Sequence, residues 1–487
     1  MGYIYRNASQ TRTTENQGGR SAVNRMAVVL AAGQGKRMKS KLYKVLHPVC
    51  GKPMVGHVVD TVEKASCQEI VVVTGHGAAQ VQSYLEGRAR FVLQEQQLGT
   101  GHAVRQAETL LAGKEGTTIV ICGDTPLVTA ETIEAMLELH EASGAASTVL
   151  TAEFADPTGY GRVIRGDDGA VTRIVEQKDC SPAEAAVKEI NTGTYCFDNR
   201  KLFEALARVT NDNAQGEYYL TDVVGIFVSG GETVQAYCTS DLAEAIGVND
   251  RIALGEAERL MQARIVRRHQ VNGVTFIDTA AAYIEDGVEI GADTVIYPGT
   301  VLRGRTVIGE DCVVGPQADI KDSVLGSGVT VRYSTVDQSE AGEGSSIGPY
   351  ANLRPGSKLG KGCKIGDFVE LKNAVLGDES KVSHLSYVGD AEVGSGVNIG
   401  CGAITVNYDG FNKAKTIIGD DAFIGSNVNL IAPVTIGDGA YVVAGSTVTH
   451  DVPGGDLAIA RERQVNKPGY ADKIRARAKA KKERGGS

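Results

Sequence analysis

The chain has 487 residues, 42% of them hydrophobic, which is enough for two or three domains with sizeable cores. A formal net charge of −9 at pH 7 argues against a nucleic-acid-binding protein, because such proteins normally carry a basic face. Nine cysteines without a C-x-x-C pair indicate reduced thiols in the cytoplasm, and no apolar run is long enough to span a membrane.

The first half of the chain is predicted to fold around a sheet. Residues 1–25 are polar and are expected to form a disordered extension without a secretion signal. After them, Val- and Ile-rich runs alternate with helix-length stretches such as 129–143; the runs are 26–31, 69–75, 117–124 and 146–154. This alternation predicts a mostly parallel α/β domain over residues 26–248, whose ligands lie at the carboxyl ends of its strands.

The second half follows a different repeat, which begins after a connecting helix predicted over residues 249–272. Apolar residues recur there every six positions: Ile284, Ile290, Ile296, Leu302, Ile308, Val314 and Ile320, then Ile347, Leu353, Leu359, Ile365 and Leu371, then Ile418, Ile424, Leu430, Ile436, Val442 and Val448. A period of six fits neither a helix nor a flat strand, whereas three hexads make one triangular coil of a parallel β-helix. The repeat predicts such a domain over residues 273–453, with a protruding loop at 405–415. The C-terminal tail over 454–487 ends in a basic stretch that is expected to be frayed and solvated.

The first predicted strand ends in a glycine-rich turn, "LAAGQGKRM" at Leu30–Met38. The turn lacks residues that define the P-loop and the dinucleotide-binding fingerprint, so both are excluded. Its glycines would let backbone N–H groups approach a phosphate or a base, and Arg37 and Lys44 would supply charge. A purely structural turn with basic surface residues is the alternative. Asp124, at the end of a later strand, is a carboxylate of the kind that Mg²⁺ binds together with phosphate oxygens.

Further motifs follow in a fixed order along the chain. They are "QLGTGHA" (97–103), "GDTPL" (123–127), "DPTGYGR" (156–162), "VEQKD" (175–179), "EINTG" (189–193), "GVND" (247–250), "LRPGSKLGKGCKIGDFVELKNA" (353–374) and "SHLSYVGDAEVGSGVNIGCGAITVNYDG" (383–410). With these motifs, residues 26–468 resemble the family of bifunctional bacterial N-acetylglucosamine-1-phosphate uridyltransferases/glucosamine-1-phosphate acetyltransferases. The resemblance implies an α/β Rossmann-like nucleotidyltransferase domain, a linker helix and a left-handed parallel β-helix of hexapeptide repeats.

For the first domain, the resemblance implies transfer of UMP from UTP to N-acetylglucosamine-1-phosphate with release of pyrophosphate. Arg37 and Lys44 would hold the triphosphate and stabilise charge at the α-phosphorus, and Asp124 and Asn249 would bind Mg²⁺. The other implied contacts to UTP and UDP-N-acetylglucosamine are the glycine-turn residues Leu30, Ala31, Ala32 and Gly33, the uracil-reading residues Gln94, Gly99 and Thr100, and the sugar-binding residues Gly161, Glu176 and Asn191. Lys36 and Tyr43 stand where many members of the family have Thr and Pro.

For the second domain, the resemblance implies acetylation of glucosamine-1-phosphate by acetyl-CoA, the earlier of the two steps. A coil of hexads needs no histidine, so His384 needs an explanation. The resemblance implies that it is the general base on the 2-amino group, with a surface or capping histidine as the alternative. Glu370 is predicted to orient this imidazole, unless it is a solvated carboxylate at a coil corner. The implied sugar-phosphate contacts are Arg354, Lys372, Tyr387, Asn398 and Lys413. The implied acetyl-CoA contacts are Cys401, Asn407, Tyr408, Ser426, Ala444 and Arg461; Asn407 and Tyr408 would also reach the sugar phosphate, and Cys401 is expected to be a small packing residue.

The resemblance also implies a cytoplasmic homotrimer, with the acetyltransferase sites at subunit boundaries and no nucleic-acid or membrane partner. Its product would supply precursors of peptidoglycan, lipopolysaccharide or teichoic acid. Two other interpretations stay open on the sequence. One is a sugar-1-phosphate nucleotidyltransferase with a single activity and a regulatory β-helix, and the other is a non-catalytic subunit of a nucleotide-exchange assembly.

Overall fold

The structure is a computed structural model that describes residues 23–484. It divides into two compact units between Gln262 and Ala263, each of which is described by itself. Residues 1–22 of the predicted extension lie outside the described residues, and the first strand begins at Arg25. The helix predicted over residues 249–272 is present at Arg251–Val271, and the division between the two units falls inside it.

Strands and helices alternate through the first unit. The strands are β1 (Arg25–Ala31), β2 (Pro48–Val49), β3 (Lys52–Pro53), β4 (Glu69–Thr74), β5 (Arg90–Leu93), β6 (Thr117–Cys122), β7 (Ser147–Glu153), β8 (Gly161–Arg165), β9 (Val171–Val175), β10 (Glu189–Asp198) and β11 (Val234–Cys238). The helices are α1 (Met54–Lys64), α2 (Ala78–Tyr84), α3 (Thr100–Arg105), α4 (Glu108–Leu111), α5 (Ala130–Ser143), α6 (Pro182–Ala185), α7 (Asn199–Leu206), α8 (Asp222–Ser229) and α9 (Arg251–Val271). Short 3₁₀ turns lie at Lys36–Met38, Lys44–Leu46 and Leu242–Ala245.

The main sheet of this unit has the order β11-β7-β10-β6-β1-β4-β5, and β8 and β9 form a hairpin beside β10. Its neighbours pair in parallel except for β10, which runs antiparallel to both β6 and β7. Both faces are buried: Val28 of β1 packs into one apolar cluster, and its neighbour Val29 packs into another on the opposite face. The predicted, mostly parallel α/β sheet is therefore present.

Capping residues define the helix predicted over residues 129–143. The Thr129 hydroxyl accepts a hydrogen bond from the backbone N–H of Thr132 and so caps the start of α5. Gly144 ends the helix in a left-handed conformation with φ +63°, which glycine adopts without a steric penalty.

The second unit consists of short parallel strands. They are β12 (Thr275–Phe276), β13 (Tyr283–Ile284), β14 (Glu289–Ile290), β15 (Val295–Ile296), β16 (Val301–Arg303), β17 (Val307–Ile308), β18 (Val313–Val314), β19 (Asp319–Lys321), β20 (Val324–Leu325), β21 (Thr330–Val331), β22 (Thr335–Asp337), β23 (Glu340–Ala341), β24 (Ser346–Ile347), β25 (Asn352–Arg354), β26 (Lys358–Leu359), β27 (Lys364–Asp367), β28 (Glu370–Leu376), β29 (Lys381–His384), β30 (Tyr387–Val393), β31 (Asn398–Ile399), β32 (Ile404–Val406), β33 (Thr416–Ile418), β34 (Phe423–Ile424), β35 (Asn429–Ile431), β36 (Val434–Ile436), β37 (Tyr441–Val442), β38 (Thr447–Val448) and β39 (Leu457–Ala458).

These strands form a β-helix. Through most of the array each strand pairs with the strand three places further along, as β12 does with β15 and β13 with β16, which gives three ladders and hence three faces. Every apolar residue of the predicted six-residue repeat is buried, because the repeat turns it towards the inside of each coil. The predicted fold class is thus confirmed, while the left hand of the coil stays a prediction.

Two features lie outside the regular coils. The predicted loop protrudes: residues 408–413 are all exposed, and Phe411 is 92% exposed. At the C-terminal end, β39 pairs with β37, so regular pairing continues past residue 453. The basic stretch that was expected to be frayed is instead helical, α10 (Tyr470–Arg484), with every residue exposed. Its run of Ala, Lys and Arg residues, all good helix formers, accounts for this difference.

Among residues 23–484, no helix is both long enough and apolar enough to cross a membrane. All nine cysteines lie in this part of the chain, and each carries a free thiol rather than a disulfide.

Candidate active sites

The glycine-rich turn lies at the carboxyl edge of the main sheet. β1 and β6 pair in parallel with Leu30 opposite Cys122, and the N–H of Gly123 continues the ladder by donating to the Leu30 carbonyl at 2.9 Å. The turn residues that follow Leu30 therefore emerge beside Gly123 and Asp124, in the position where parallel sheets bind ligands.

Gly35 is required in this turn for two reasons. Its φ is +61°, and a Cβ atom at this position would lie 2.5 Å from the Cβ of Lys44. Tyr43, the unusual residue before Lys44, is buried, and its hydroxyl donates to the Ala31 carbonyl at 2.6 Å. Tyr43 thus fixes the segment that carries Lys44 to the end of β1.

Lys44 joins two of the predicted site residues. Its Nζ atom donates to the Asp124 carboxylate and, at 2.8 Å, to Oδ1 of Asn249. The Val248 N–H donates to the Asp124 carbonyl at 2.9 Å, which holds the loop of Asn249 against the end of β6. The side chains of Lys44 and Asp124 are only 12% and 20% exposed, so this contact is partly shielded from water.

The same two oxygens fit a divalent cation. Asp124 and Asn249 converge on one positive group, and Mg²⁺ takes one or two protein oxygens together with phosphate oxygens and water. Within residues 23–484 there is no cluster of three or more His, Cys, Asp and Glu side chains able to hold a metal. A metal ion at this edge would therefore depend on oxygens of a bound ligand.

An open cavity of about 430 Å³ extends from this point. It is lined by Arg37, Cys122, Asp124, Thr125, Thr158, Gly159, Tyr160, Gly161, Glu176, Asn191, Thr192, Gly193, Gly247, Asn249, Asp250 and Ala253. The predicted phosphate residue Arg37, the metal residues and the three predicted sugar residues thus line one cavity. Sequence reasoning missed Tyr160, which lies within the motif at 156–162, and Cys122, which directly precedes the motif at 123–127.

Two of the predicted sugar residues are held by defined contacts. Asn191 pairs with Gly161 across β10 and β8, and its Nδ2 donates to the buried Tyr195 hydroxyl at 2.7 Å. Desolvation by burial raises the pKa of Glu176, whose carboxylate accepts from Thr221 at 3.4 Å. The cavity can therefore offer both donors and acceptors to a polyhydroxylated ligand.

The predicted uracil residues lie along the same edge of the sheet. The Gln94 N–H donates to the carbonyl of Thr74, the last residue of β4, and the Gln94 side chain is buried. Gly99 has φ +109°, and a Cβ atom there would lie 2.6 Å from the Tyr218 carbonyl oxygen. Gln97, which sequence reasoning missed, donates to the Ala32 carbonyl at 3.4 Å and so connects this segment to the glycine-rich turn.

In the second unit, His384 is exposed at a corner of the β-helix. Its Nδ1 lies 2.5 Å from Oδ1 of Asp367, and this hydrogen bond lowers the pKa of Asp367. Glu370, which was predicted to orient the imidazole, instead binds Nη1 of Arg354 at 2.8 Å, so that prediction is wrong.

Glu370 does not reach the imidazole because the register of the coils decides which residue faces His384. Strict hexads would place residue 366 next to His384, eighteen positions earlier. The internal apolar residues Leu371 and Leu376 are separated by five positions, so the coil is one residue short and Asp367 pairs with His384. The same register places Glu370 opposite Tyr387.

A cluster of polar and charged groups lies one strand away from His384. Asp390 accepts from Asn373 at 2.9 Å and from Asn407 at 2.5 Å, and the Nζ atom of Lys372 is 3.9 Å from its carboxylate. Lys413, on the protruding loop, faces the same group, and the proximity of the Lys372 ammonium lowers the pKa of Lys413. Two ammonium groups that share one carboxylate leave net positive charge for an anionic ligand.

Arg354 and Tyr387 lie on the face between His384 and this cluster. Arg354 pairs with Lys372 across β25 and β28, and Tyr387 pairs with Glu370 across β28 and β30, one coil further along the same face. Asn398 lies elsewhere: it pairs with Lys381 and Phe423 on the neighbouring face, so the structure does not place it in the Lys372 cluster. Tyr408 is exposed on the protruding loop, and its hydroxyl donates to the Gly410 carbonyl at 2.5 Å.

At the corner that carries His384, the following coils have small residues, which form a column next to the imidazole. The Gly402 N–H donates to the His384 carbonyl at 3.4 Å, the Asn427 N–H donates to the Cys401 carbonyl, and the Gly445 N–H donates to the Ser426 carbonyl. Three of the predicted acetyl-CoA residues, Cys401, Ser426 and Ala444, thus occupy the same corner of successive coils. The predicted Arg461 is exposed beside this column, with its Cδ 3.8 Å from the position of a Cβ on Gly445.

The fold and the two sites define a transferase with a nucleotidyltransferase domain and a hexapeptide-repeat domain. The family model "MobA-like NTP transferase domain" matches residues 27–222, and the model "Bacterial transferase hexapeptide (six repeats)" matches residues 415–450. The "Bifunctional protein GlmU" of Geobacillus thermodenitrificans is 60% identical over 94% of this chain and 100% of its own length, and that of Brevibacillus brevis is 61% identical over 93% and 98%. The chain belongs to the family of bifunctional GlmU proteins, and the resemblance inferred from its motifs is confirmed.

A solved structure of UDP-glucose pyrophosphorylase complexed with UDP-glucose is also similar. It is 21% identical, covers 50% of this chain and 100% of its own, and has a TM-score of 0.42.

Proposed function

We propose that the protein makes UDP-N-acetylglucosamine in two steps, one in each unit. The second unit acetylates glucosamine-1-phosphate with acetyl-CoA, and the first unit then transfers UMP from UTP to the N-acetylglucosamine-1-phosphate so formed. The observation that carries this proposal is that one chain holds two sites of different chemistry, an imidazole–carboxylate pair in one unit and a lysine–carboxylate–amide cluster in the other.

In the acetyl transfer, His384 acts as general base. Asp367 binds Nδ1, which fixes the ring and leaves Nε2 to accept the proton of the substrate amine. The amine nitrogen attacks the thioester carbonyl carbon, the carbon–sulfur bond breaks, and the coenzyme leaves as the thiol. The phosphate of the amino sugar is held by Arg354 and Lys372, on the face that carries Tyr387, and by Lys413 of the protruding loop.

In the uridylyl transfer, the chain positions two phosphate groups and neutralises their charge. A phosphate oxygen of the sugar attacks the α-phosphorus in line, the bond to the β-phosphate oxygen breaks, and pyrophosphate leaves. Arg37 and Lys44 hold the triphosphate at the glycine-rich turn, while Gly161, Glu176 and Asn191 orient the sugar. Asp124 and Asn249 would hold Mg²⁺, which when bound neutralises phosphate charge.

An exposed apolar ridge supports the homotrimer. Tyr333, Tyr350, Phe368 and Leu385 occupy one corner of the β-helix and are 39%, 55%, 58% and 57% exposed. The rings of Tyr350 and Phe368 stack with their centroids 5.3 Å apart. All four residues have positive φ, a backbone conformation that is costly for large side chains. In later coils the same corner position, also with positive φ, is occupied by the smaller residues Gly402, Asn427 and Gly445. A ridge that exposes apolar area at a conformational cost fits a contact between copies of this chain. A homotrimer with this ridge in its contacts would place His384, which directly precedes Leu385, next to the contact.

The substrates proposed here place the protein in the cytoplasm, where UTP and acetyl-CoA are available, and the free state of all nine thiols fits a reducing compartment.

The test uses the purified full chain with glucosamine-1-phosphate, acetyl-CoA, UTP and Mg²⁺, from which one component at a time is left out. His384→Ala should lose acetylation and keep uridylylation, and Asp124→Ala should do the reverse. If either variant lost both reactions while still folded, the assignment of one step to each unit would be wrong. Turnover of UTP without any use of acetyl-CoA would favour the nucleotidyltransferase with a single activity.

A further inference from the structure

Arg162, the second residue of β8, carries a positive charge into the interior of the first unit. It is only 1% exposed, and each recorded hydrogen bond of its guanidinium goes to an uncharged oxygen. Within residues 23–484, its Nε atom is buried with no hydrogen-bond partner. Burial of a charge without an opposite charge costs free energy, so this arginine needs an explanation other than an ion pair.

The guanidinium joins three separate segments of the unit. Nη1 donates to the Tyr160 carbonyl, in the turn before β8. Nη2 donates at 2.8 Å to Oε1 of Gln177, which follows β9, and at 3.3 Å to the carbonyl of Ala185, the last residue of α6. The planar fork of an arginine holds several acceptors in fixed directions, which the single ammonium group of a lysine does not.

Gln177 extends this contact to the neighbouring glycine. Its Oε1 atom also accepts from the Gly159 N–H at 3.0 Å. A backbone N–H and a guanidinium can only donate, so the Gln177 atom between them is the amide oxygen, and the orientation of the amide is set. Gly159 has φ +92° and open space where a Cβ would be, so the hydrogen bond to Gln177 holds this glycine and packing does not.

The turn that these contacts hold forms part of the cavity. Residues 158–161 all line it, together with Glu176. Arg162 and Gln177 are not among its lining residues in the part of the chain that the structure describes. They can therefore act on a ligand only through the turn.

We propose that Arg162 and Gln177 are positioning residues of the nucleotidyltransferase site: they hold the turn at 158–161 in the shape that receives the sugar phosphate before this ligand binds. The inference rests on the proposed function, in which Gly161 and Glu176 orient the sugar. A turn that is already ordered costs little free energy when the ligand binds, whereas a loosened turn must be ordered at that moment. Loss of either residue therefore weakens binding of the sugar phosphate more than binding of UTP, whose phosphates are held at the glycine-rich turn.

The test compares two substitutions of Gln177 in the full chain. In Gln177→Glu, a carboxylate oxygen still accepts from Gly159 and Arg162, whereas Gln177→Met keeps the size of the side chain and removes the acceptor. The readout is the KM for N-acetylglucosamine-1-phosphate divided by the KM for UTP, in UMP transfer with Mg²⁺. We expect Gln177→Met to raise this ratio at least about tenfold and Gln177→Glu to stay within about threefold of the unchanged chain. A role in folding alone would change both KM values together and leave their ratio constant.

Arg162→Met removes the guanidinium, keeps an apolar stem and should raise the same ratio. Arg165→Met is the matched control on the same strand, because the Arg165 guanidinium binds Glu189 and the Gly169 carbonyl, which are not among the lining residues of the cavity.

Three results would overturn the inference. They are an unchanged ratio in Gln177→Met, equal rises in Gln177→Met and Gln177→Glu, and a rise in Arg165→Met as large as that in Arg162→Met. If Gln177→Met does not fold, the ratio in Arg162→Met decides in its place. The proposed function fails separately, when the unchanged chain transfers no UMP from UTP.

Discussion

Asp367 and His384 are paired across two successive coils of the β-helix, with Oδ1 of the carboxylate 2.5 Å from Nδ1 of the imidazole. Because Nδ1 is occupied, only Nε2 is available to a substrate, and the carboxylate stabilises the imidazolium that forms when the ring takes a proton.

Asp367→Asn tests this pair. The amide keeps the size of the side chain but removes its charge, so the kcat of acetyl transfer should fall by about ten- to a hundredfold, with uridylyl transfer unchanged. Steady-state kinetics of both reactions measure the effect. Glu370→Gln is the comparison, since Glu370 binds Arg354 and should alter the KM for glucosamine-1-phosphate more than kcat. A larger loss of kcat in Glu370→Gln than in Asp367→Asn would contradict the assignment.

Gly35→Ala tests the glycine-rich turn. The added Cβ would lie 2.5 Å from the Cβ of Lys44, so Lys44 must move away from Asp124. The alanine would also have to adopt the left-handed backbone conformation of Gly35, which is strained for any residue with a Cβ. UMP transfer should fall at least about tenfold while acetyl transfer is kept. Gly225→Ala is the matched control, because this residue lies in α8 with no atom within 4 Å of an added Cβ. An equal loss in both variants would indicate general damage to the unit.

Ala444→Phe tests the column of small residues. A phenyl ring in this column would obstruct the path from His384 towards Arg461, so the KM for acetyl-CoA should rise at least about tenfold. The KM for glucosamine-1-phosphate, whose proposed contacts lie on another face, should change less than about threefold, and uridylyl transfer in the same preparation reports on folding. Equal rises in both KM values would place acetyl-CoA elsewhere.

Phe368→Asp tests the apolar ridge. A carboxylate stacked against Tyr350 would be buried without a partner in a contact between copies, so the oligomer should dissociate. Sedimentation equilibrium measures the mass directly, and Phe411→Asp is the control, since Phe411 is 92% exposed on the protruding loop and is not one of the ridge residues. A trimer that survives Phe368→Asp would exclude this ridge from the contact.

His140 should make the first unit sensitive to acid. Burial lowers the pKa of this imidazole to about 4, whereas in the unfolded chain it titrates near 6.5. Between these two values the unfolded chain binds a proton that the folded chain does not, so the free energy of unfolding falls as the pH drops from 6.5 towards 4, by up to about 3 kcal/mol. Glutamine does not titrate in this range. Thermal unfolding of His140→Gln at pH 7 and pH 5 should therefore show a smaller loss of stability at the lower pH than the unchanged chain shows. Equal losses would mean that other groups dominate.

Local patterns were enough to predict both architectures. The Val- and Ile-rich runs mark β1, β4, β6 and β7 to within a few residues, because buried parallel strands need apolar side chains on both faces. The six-residue spacing marks the β-helix, because one internal position per face must be apolar in each coil.

Contacts that depend on long-range register could not be predicted. Glu370 was chosen without knowledge of the register, which depends on one five-residue spacing in the coil and pairs Asp367, three residues before Glu370, with His384. The ridge of Tyr333, Tyr350, Phe368 and Leu385 is likewise invisible until the coil lengths are known. The bonds of Lys44 to Asp124 and Asn249 join residues far apart in sequence, and no local signal records them.

The repeat of the β-helix also works as a molecular ruler. Each rung adds about 4.8 Å, so the three rungs of Cys401, Ser426 and Ala444 set a span of about 14 Å from the imidazole. In the proposed acetyl transfer, an acyl donor would need a flexible arm of that length to place its thioester at one end while its head group is bound at the other. The insertion or deletion of a single rung would therefore change which acyl carriers the proposed site accepts, without changing the reaction at the imidazole.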